Sequence, residues 1–159
     1  MKPVVFSGSF DPVTNGHIDL IKRARAIFGA VVVVVFHNSA KQGRFSVQER
    51  VALLKEALKG EENITVDSCP GLLADYMKQH QYTTVVRGLR SAHDWNHERT
   101  QAYFNKAFYP QLETVFLPAC ETYQFISSST LKEAVFHGAD ISAWVPPCVQ
   151  KAFKKEIAF

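Results

Sequence analysis

The sequence predicts one α/β domain over residues 1–159, with a parallel sheet of five strands and helices on both of its faces. Three observations carry this expectation. Short β-branched runs alternate with longer segments of helical hydrophobic spacing, as βαβ units require. The run Val31-Val32-Val33-Val34-Val35 is apolar at every position, so neither face of that strand can lie in water and it belongs in the centre of a covered sheet. The chain also opens with Val4-Val5-Phe6 running into Ser7-Gly8-Ser9-Phe10-Asp11-Pro12-Val13-Thr14-Asn15-Gly16-His17, which reads as strand, glycine loop and helix start.

Taken in order, the first strand is expected over residues 3–7 and the first helix over 16–28, where an amphipathic pattern follows His17. The second strand covers 31–36. The helix at 47–58 is announced by Ser46-Val47-Gln48-Glu49, a capping box in which side chains satisfy orphan backbone amides, and Val51, Leu54 and Leu58 share its core-facing side. Strands at 64–67, 84–87 and 114–117 alternate with helices at 72–79 and 92–108. A helix at 128–137 carries a second expected box, Thr130-Leu131-Lys132-Glu133, and one at 147–155 closes the pattern. Right-handed crossovers put the crevice at the carboxyl ends of the strands, where Ser9, His37, Arg87 and Tyr123 are expected to gather.

Composition bounds the function. A chain of 159 residues buries roughly 70% of its unfolded surface, enough for a core without staples. Cys69, Cys120 and Cys148 are odd in number and widely spaced, which fits neither a disulfide framework nor a C-x-x-C metal site and points to a reducing, cytoplasmic setting. The longest apolar run is far shorter than the roughly 18 residues of a membrane span, and no charged-then-apolar leader opens the sequence, so a soluble, uncleaved protein is expected. The formal charge is only +3 and the basic residues are scattered, which disfavours nucleic acid as a partner and suits anionic small molecules.

The opening loop suits a phosphate: Gly8 lets one approach the backbone, Ser9 offers a hydroxyl, and His17 sits in the first turn of a helix whose free amides favour anions. Neither G-x-x-x-x-G-K-[ST] nor G-x-G-x-x-G occurs, so a different nucleotide-handling architecture is required. Arg87 and Arg90, three apart, are expected on a loop-to-helix turn where they grip separate phosphate groups, and Ser127-Ser128-Ser129 offers hydroxyls at a helix start. His93 and His97 echo the zinc-protease H-E-x-x-H, but the acid between them is Asp94 and no third ligand is suggested, so no metal site is expected there.

The residues G-S-F-D-P-x-T-N-G-H at positions 8–17 resemble the signature of the nucleotidyltransferase superfamily. Thr14, where relatives acting on nicotinate mononucleotide usually carry His, makes the chain similar to the phosphopantetheine adenylyltransferase family of coenzyme A synthesis. Asn38-Ser39-Ala40-Lys41, Arg87-Gly88-Leu89-Arg90 and Phe125-Ile126-Ser127-Ser128-Ser129 agree in order and spacing.

The resemblance implies a Rossmann-like fold and transfer of the adenylyl group of ATP to 4′-phosphopantetheine, giving dephospho-coenzyme A and pyrophosphate. It implies that His17 stabilises the transition state, that Lys41 bridges the reacting phosphates, and that Ser9 touches both substrates. Phe10 offers ATP its backbone amide, and Gly88, Leu89, Arg90 and Glu98 contact ATP. Tyr123, Gln124, Phe125, Ile126, Ser127, Ser128 and Ser129 wrap the nucleotide, with Tyr123 expected to stack on or border the adenine. Arg87 and Leu73 hold the phosphopantetheine, while Asp11 and Pro12 shape the loop. Asn96 and His97 depart from the acidic and aromatic residues common at these positions. Magnesium is implied as a companion of the ATP phosphates, held by no carboxylate cage of the protein. A homohexamer and feedback binding of coenzyme A are implied on the same basis. The rival readings are adenylyl transfer to another phosphorylated acceptor and a non-catalytic nucleotide-binding module.

Overall fold

A computed structural model describes residues 2–36 and 43–157, without the side chains of residues 155–157. The order is β1 (Val4–Gly8), α1 (Asn15–Phe28), β2 (Val31–Phe36), α2 (Val47–Ala57), β3 (Ile64–Cys69), α3 (Leu73–Gln79), β4 (Thr84–Leu89), α4 (Ala92–Phe108), β5 (Glu113–Pro118), α5 (Ser128–Phe136) and α6 (Pro147–Ile157). All five strands are parallel in one sheet of order β3-β2-β1-β4-β5. The chain builds outward from β1 to β3 and then returns to lay β4 on the other side of β1. The point where the order reverses, between β1 and β4, is where open α/β sheets bind ligands beyond the strand ends.

The alternation of a strand explains why β2 is all valine. Val31, Val33 and Val35 join Phe6, Val86, Leu20 and Ile21 of α1 and Leu54 of α2 in one core, while Val32 and Val34 join Val5, Val85 and Met77 of α3 in a second. Both faces of the sheet are therefore covered, and β2, flanked by β1 and β3, is buried along Val31 to Val35.

The helix starts follow cap chemistry. Ser46 Oγ accepts from the amide of Glu49 while the Glu49 carboxylate accepts from the amide of Ser46, the expected box. Thr14 caps α1 in the same reciprocal way with an imidazole in place of the acid: Thr14 Oγ1 accepts from the His17 amide at 3.2 Å, and His17 Nδ1 accepts from the Thr14 amide at 3.0 Å.

Three expectations need correction. The box at Thr130 to Glu133 does not open α5; the helix starts at Ser128, as expected, so Thr130 lies inside its first turn and Ser127 is the cap, its Oγ accepting from the Thr130 amide. The fourth strand runs past its expected end at Arg87 to Leu89, which pairs with Pro118, so Gly88 and Leu89 lie in β4 and of the two arginines only Arg90 occupies the turn. The third strand continues past residue 67 to Cys69, because Ser68 and Cys69 keep pairing with Val35 and Phe36 although one side of that edge strand is exposed.

Candidate active site

Two cavities open at the carboxyl ends of β1 and β4 and share a wall made by Ser7, Gly8, Ser9, Arg87, His97 and Glu98. The first, about 300 Å³, is walled by the loop after β1, the first turn of α1, the turn at Arg90 and the start of α5. The second, about 590 Å³, extends toward α3 and α4 and takes in Leu73, Gln101 and Asn105. Two ligands, one in each space, would meet at this common boundary, where their reacting ends could be held close together.

His17, Ser9, Phe10, Gly88, Arg90, Glu98, Tyr123, Ile126, Ser127, Ser128 and Ser129 all reach the first cavity, and Leu73 reaches the second. Leu89, Gln124 and Phe125 line neither cavity, and the Phe125 ring is 83% exposed. Lys41 lies outside the described residues, as do His37, Asn38, Ser39 and Ala40.

His17 is placed by α1. Because its Nδ1 accepts from the Thr14 amide, a neutral ring carries its proton on Nε2. Burial, and then the positive charges of Arg90 and Arg87, push its pKa down to about 4, so near neutral pH the ring is an uncharged donor. The Phe10 ring meets it edge-on at 5.1 Å. Phe10 itself takes a left-handed backbone at φ 47° and is buried, so its ring forms the floor of the loop.

The two arginines of the β4 end are held differently. Arg87 grips Glu98 of α4 with both Nε (2.7 Å) and Nη2 (2.6 Å), and its Nη1 donates to Ser7 O and, at 3.1 Å, to Ser7 Oγ. Glu98 is 8% exposed, so this carboxylate fixes the guanidinium instead of meeting water. Arg90 is clasped by Asp94 through Nε (3.0 Å) and Nη2 (3.3 Å) and donates from Nη1 to Ile126 O, which ties the turn to the residues preceding α5. Gly88 permits the close seat of α1 on β4, since a Cβ there would lie 2.4 Å from Leu20 Cδ1.

At α5, Ser128 Oγ donates to Pro12 O at 2.7 Å and Ser127 serves as the cap, so two of the three serines already have partners. Sequence reasoning missed Ser7, Asp94, Gln101 and Asn105, and it missed Thr14 as a partner of the His17 ring. The Thr14 partnership was detectable as S/T-x-x-H, a capping box with an unusual acceptor. Among the described residues no three His, Cys, Asp or Glu side chains gather to hold a metal ion. His97 lines both cavities.

Known proteins match this chain along most of its length. A family model described as cytidylyltransferase-like matches residues 5–134. The phosphopantetheine adenylyltransferase of Thermotoga neapolitana is 44% identical over 153 residues, covering 96% of this chain and 95% of the relative. The chain belongs to the phosphopantetheine adenylyltransferase family. The enzyme of the same name from Shouchella clausii is 44% identical over 155 residues, covering 98% of each chain. That from Syntrophomonas wolfei is 41% identical over 157 residues, covering 99% of this chain and 98% of its own. The relatives therefore match across the whole fold, α6 included.

Proposed function

We propose that this chain transfers the adenylyl group of ATP to 4′-phosphopantetheine, releasing pyrophosphate and forming dephospho-coenzyme A in coenzyme A synthesis. The observation that carries the reading is the pair of cavities meeting at Ser9 and Arg87 with the neutral His17 ring in one of them.

In this reading ATP occupies the first cavity and the phosphopantetheine the second. An oxygen of the acceptor phosphate attacks the α-phosphorus in line, the bond from that phosphorus to the bridging oxygen of the β-phosphate breaks, and pyrophosphate departs with the bonding pair. The acceptor is already ionised, so the protein needs no general base and works by positioning and charge stabilisation. His17 Nε2–H donates to a nonbridging α-phosphate oxygen as charge shifts onto it, and the cap to Thr14 keeps that proton on Nε2. Ser9 lies on the shared wall, where a hydroxyl reaches either phosphate. Arg87, set by Glu98, receives the acceptor phosphate, and Leu73 borders its pantetheine arm. Arg90, Gly88, Glu98, Phe10, Tyr123, Ile126, Ser127, Ser128 and Ser129, which line the first cavity, are assigned to ATP and Lys41 to the reacting phosphates, while Leu89, Gln124 and Phe125 line neither cavity and are given no substrate contact.

Magnesium is proposed as a companion of the nucleotide, where it neutralises phosphate charge; no protein residue is assigned to it and no step passes through it. A homohexamer is proposed from the family likeness and supported by Tyr103, 70% exposed, beside the exposed Phe104 and Phe108 of α4. Feedback binding of coenzyme A is proposed because it shares the pantetheine arm with the substrate. A cytoplasmic location is supported by three free cysteines, and no described helix is long and apolar enough to cross a membrane.

The test is pyrophosphate release from magnesium-ATP with 4′-phosphopantetheine, with nicotinate mononucleotide as rival acceptor. Release with phosphopantetheine alone is the expected result. Release with the rival alone moves the acceptor assignment, and silence with both favours a nucleotide-binding module.

A further inference from the structure

Asp11 is a buried carboxylate, 5% exposed, with partners from three distant stretches of chain. Oδ2 accepts from the Arg44 amide and from Lys132 Nζ of α5, both at 2.9 Å. Oδ1 accepts from the Phe45 amide at 2.9 Å and lies 3.5 Å from Arg50 Nε of α2. Arg50, equally buried, donates onward from Nε to Phe45 O at 2.7 Å and from Nη1 to Ser9 O at 3.3 Å. One residue along, Pro12 O accepts from Ser128 Oγ. Burial alone would raise the Asp11 pKa; the hydrogen bonds from Lys132, Phe45 and Arg44, with the charge of Arg50, outweigh it and keep the carboxyl below the usual range.

A buried ionic cluster is a poor device for stability, because apolar residues of similar volume commonly do as well or better. What this one does is fix geometry. It cross-ties the loop bearing Ser9, the segment at Arg44 and Phe45, and the α5 start bearing Ser128, and both serines line the first cavity.

We propose that Asp11 is a positioning residue for adenylyl transfer: its charge locks the Ser9 loop against α2 and α5, so that the phosphate-facing groups on either side of the nucleotide cavity keep their spacing. This rests on the reading of the preceding subsection. Asp11 touches no reacting atom in this scheme. Its effect passes through the Ser9 carbonyl, held by Arg50, and through Pro12, held by Ser128.

The test uses Asp11→Asn and the double variant Asp11→Asn/Lys132→Gln, the second removing a cation that the first leaves unpaired. Turnover and KM for both substrates are measured per folded molecule, well below the urea and thermal midpoints. A loss of fixed spacing on this scale costs about 10²-fold in kcat. The expected result is that loss in Asp11→Asn with both KM values within about threefold, and a double variant that regains stability without regaining kcat. Either variant folded with kcat within about threefold of the parent overturns the proposal, as does recovery of kcat together with stability in the double. If Asp11→Asn does not fold, the double variant decides; if neither folds, Asp11 is a stability residue and the proposal fails. Silence from the parent enzyme refutes the adenylyl-transfer reading itself, whereas an active parent with active variants refutes only the role of Asp11.

Discussion

Lowering the pH probes His17 without touching the chain. In the fold its pKa is pushed to about 4, against 6.5 for an unperturbed histidine, first by burial and then by Arg90 and Arg87. Between these values the unfolded chain binds a proton that the folded chain refuses, so stability falls as pH drops below 6.5 and the loss levels off below 4. The linkage relation gives about 2 kcal/mol lost from this one group by pH 5. The assay is urea unfolding of the parent and of His17→Asn at pH 7 and pH 5, since the difference between the two proteins isolates the imidazole. The parent should lose about 2 kcal/mol more than the variant over that interval. In parallel, nitrogen chemical shifts of the ring should report a neutral Nε2–H tautomer down to pH 5. Equal losses in parent and variant, or a ring midpoint near 6.5, would refute the reasoning, because the proposed donor would then be an ordinary solvated histidine.

Other perturbations separate packing from chemistry. Gly88→Ala puts a Cβ against Leu20 Cδ1, a buried side-chain end, and should lower stability by about 1–3 kcal/mol, read as a reduced urea midpoint; an unchanged midpoint would mean that the Leu20 side chain turns aside at little cost and that Gly88 is not needed for packing. Arg87→Lys keeps the charge but loses the two-pronged grip on Glu98, and kcat/KM for phosphopantetheine should fall about 10–100-fold while KM for ATP changes little. If the loss instead appears in ATP, the two cavities have been assigned the wrong way round.

Much of the fold was legible because its signals are local. Five consecutive valines announced a strand buried on both faces, and Ser46 with Glu49 announced α2. The start of α5 at Ser128 was legible too, but the same locality assigned its capping box to the wrong residue. Ser127 and Thr130 both fit a cap followed by a polar residue, and the Ser128 bond to Pro12, 116 residues away, favours the earlier of the two. Edge position hid the end of β3, where Ser68 needs no apolar side chain to keep its pairing with Val35. At the site, motif spacing brought His17, Arg87, Arg90 and the serines into view. The ties of Asp11 to Arg44, Phe45 and Lys132 stayed hidden because these contacts join stretches 33 to 121 residues apart, whereas Asp94 on Arg90 is an i,i+4 pair and Glu98 lies 11 residues from Arg87, so both were within reach of local spacing. Arg50 went unremarked in the sequence, yet it is buried because Asp11, the Phe45 carbonyl and the Ser9 carbonyl converge on it.

The central claim is that an acceptor phosphate captures the α-phosphate of ATP across the shared wall of two cavities. The most direct measurement follows a label: magnesium-ATP carrying a radioactive α-phosphate is incubated with the protein and 4′-phosphopantetheine, and the products are separated. The account predicts label in dephospho-coenzyme A, one equivalent of unlabelled pyrophosphate, and loss of both in His17→Ala. Label recovered as free AMP, or left wholly in ATP, would contradict it.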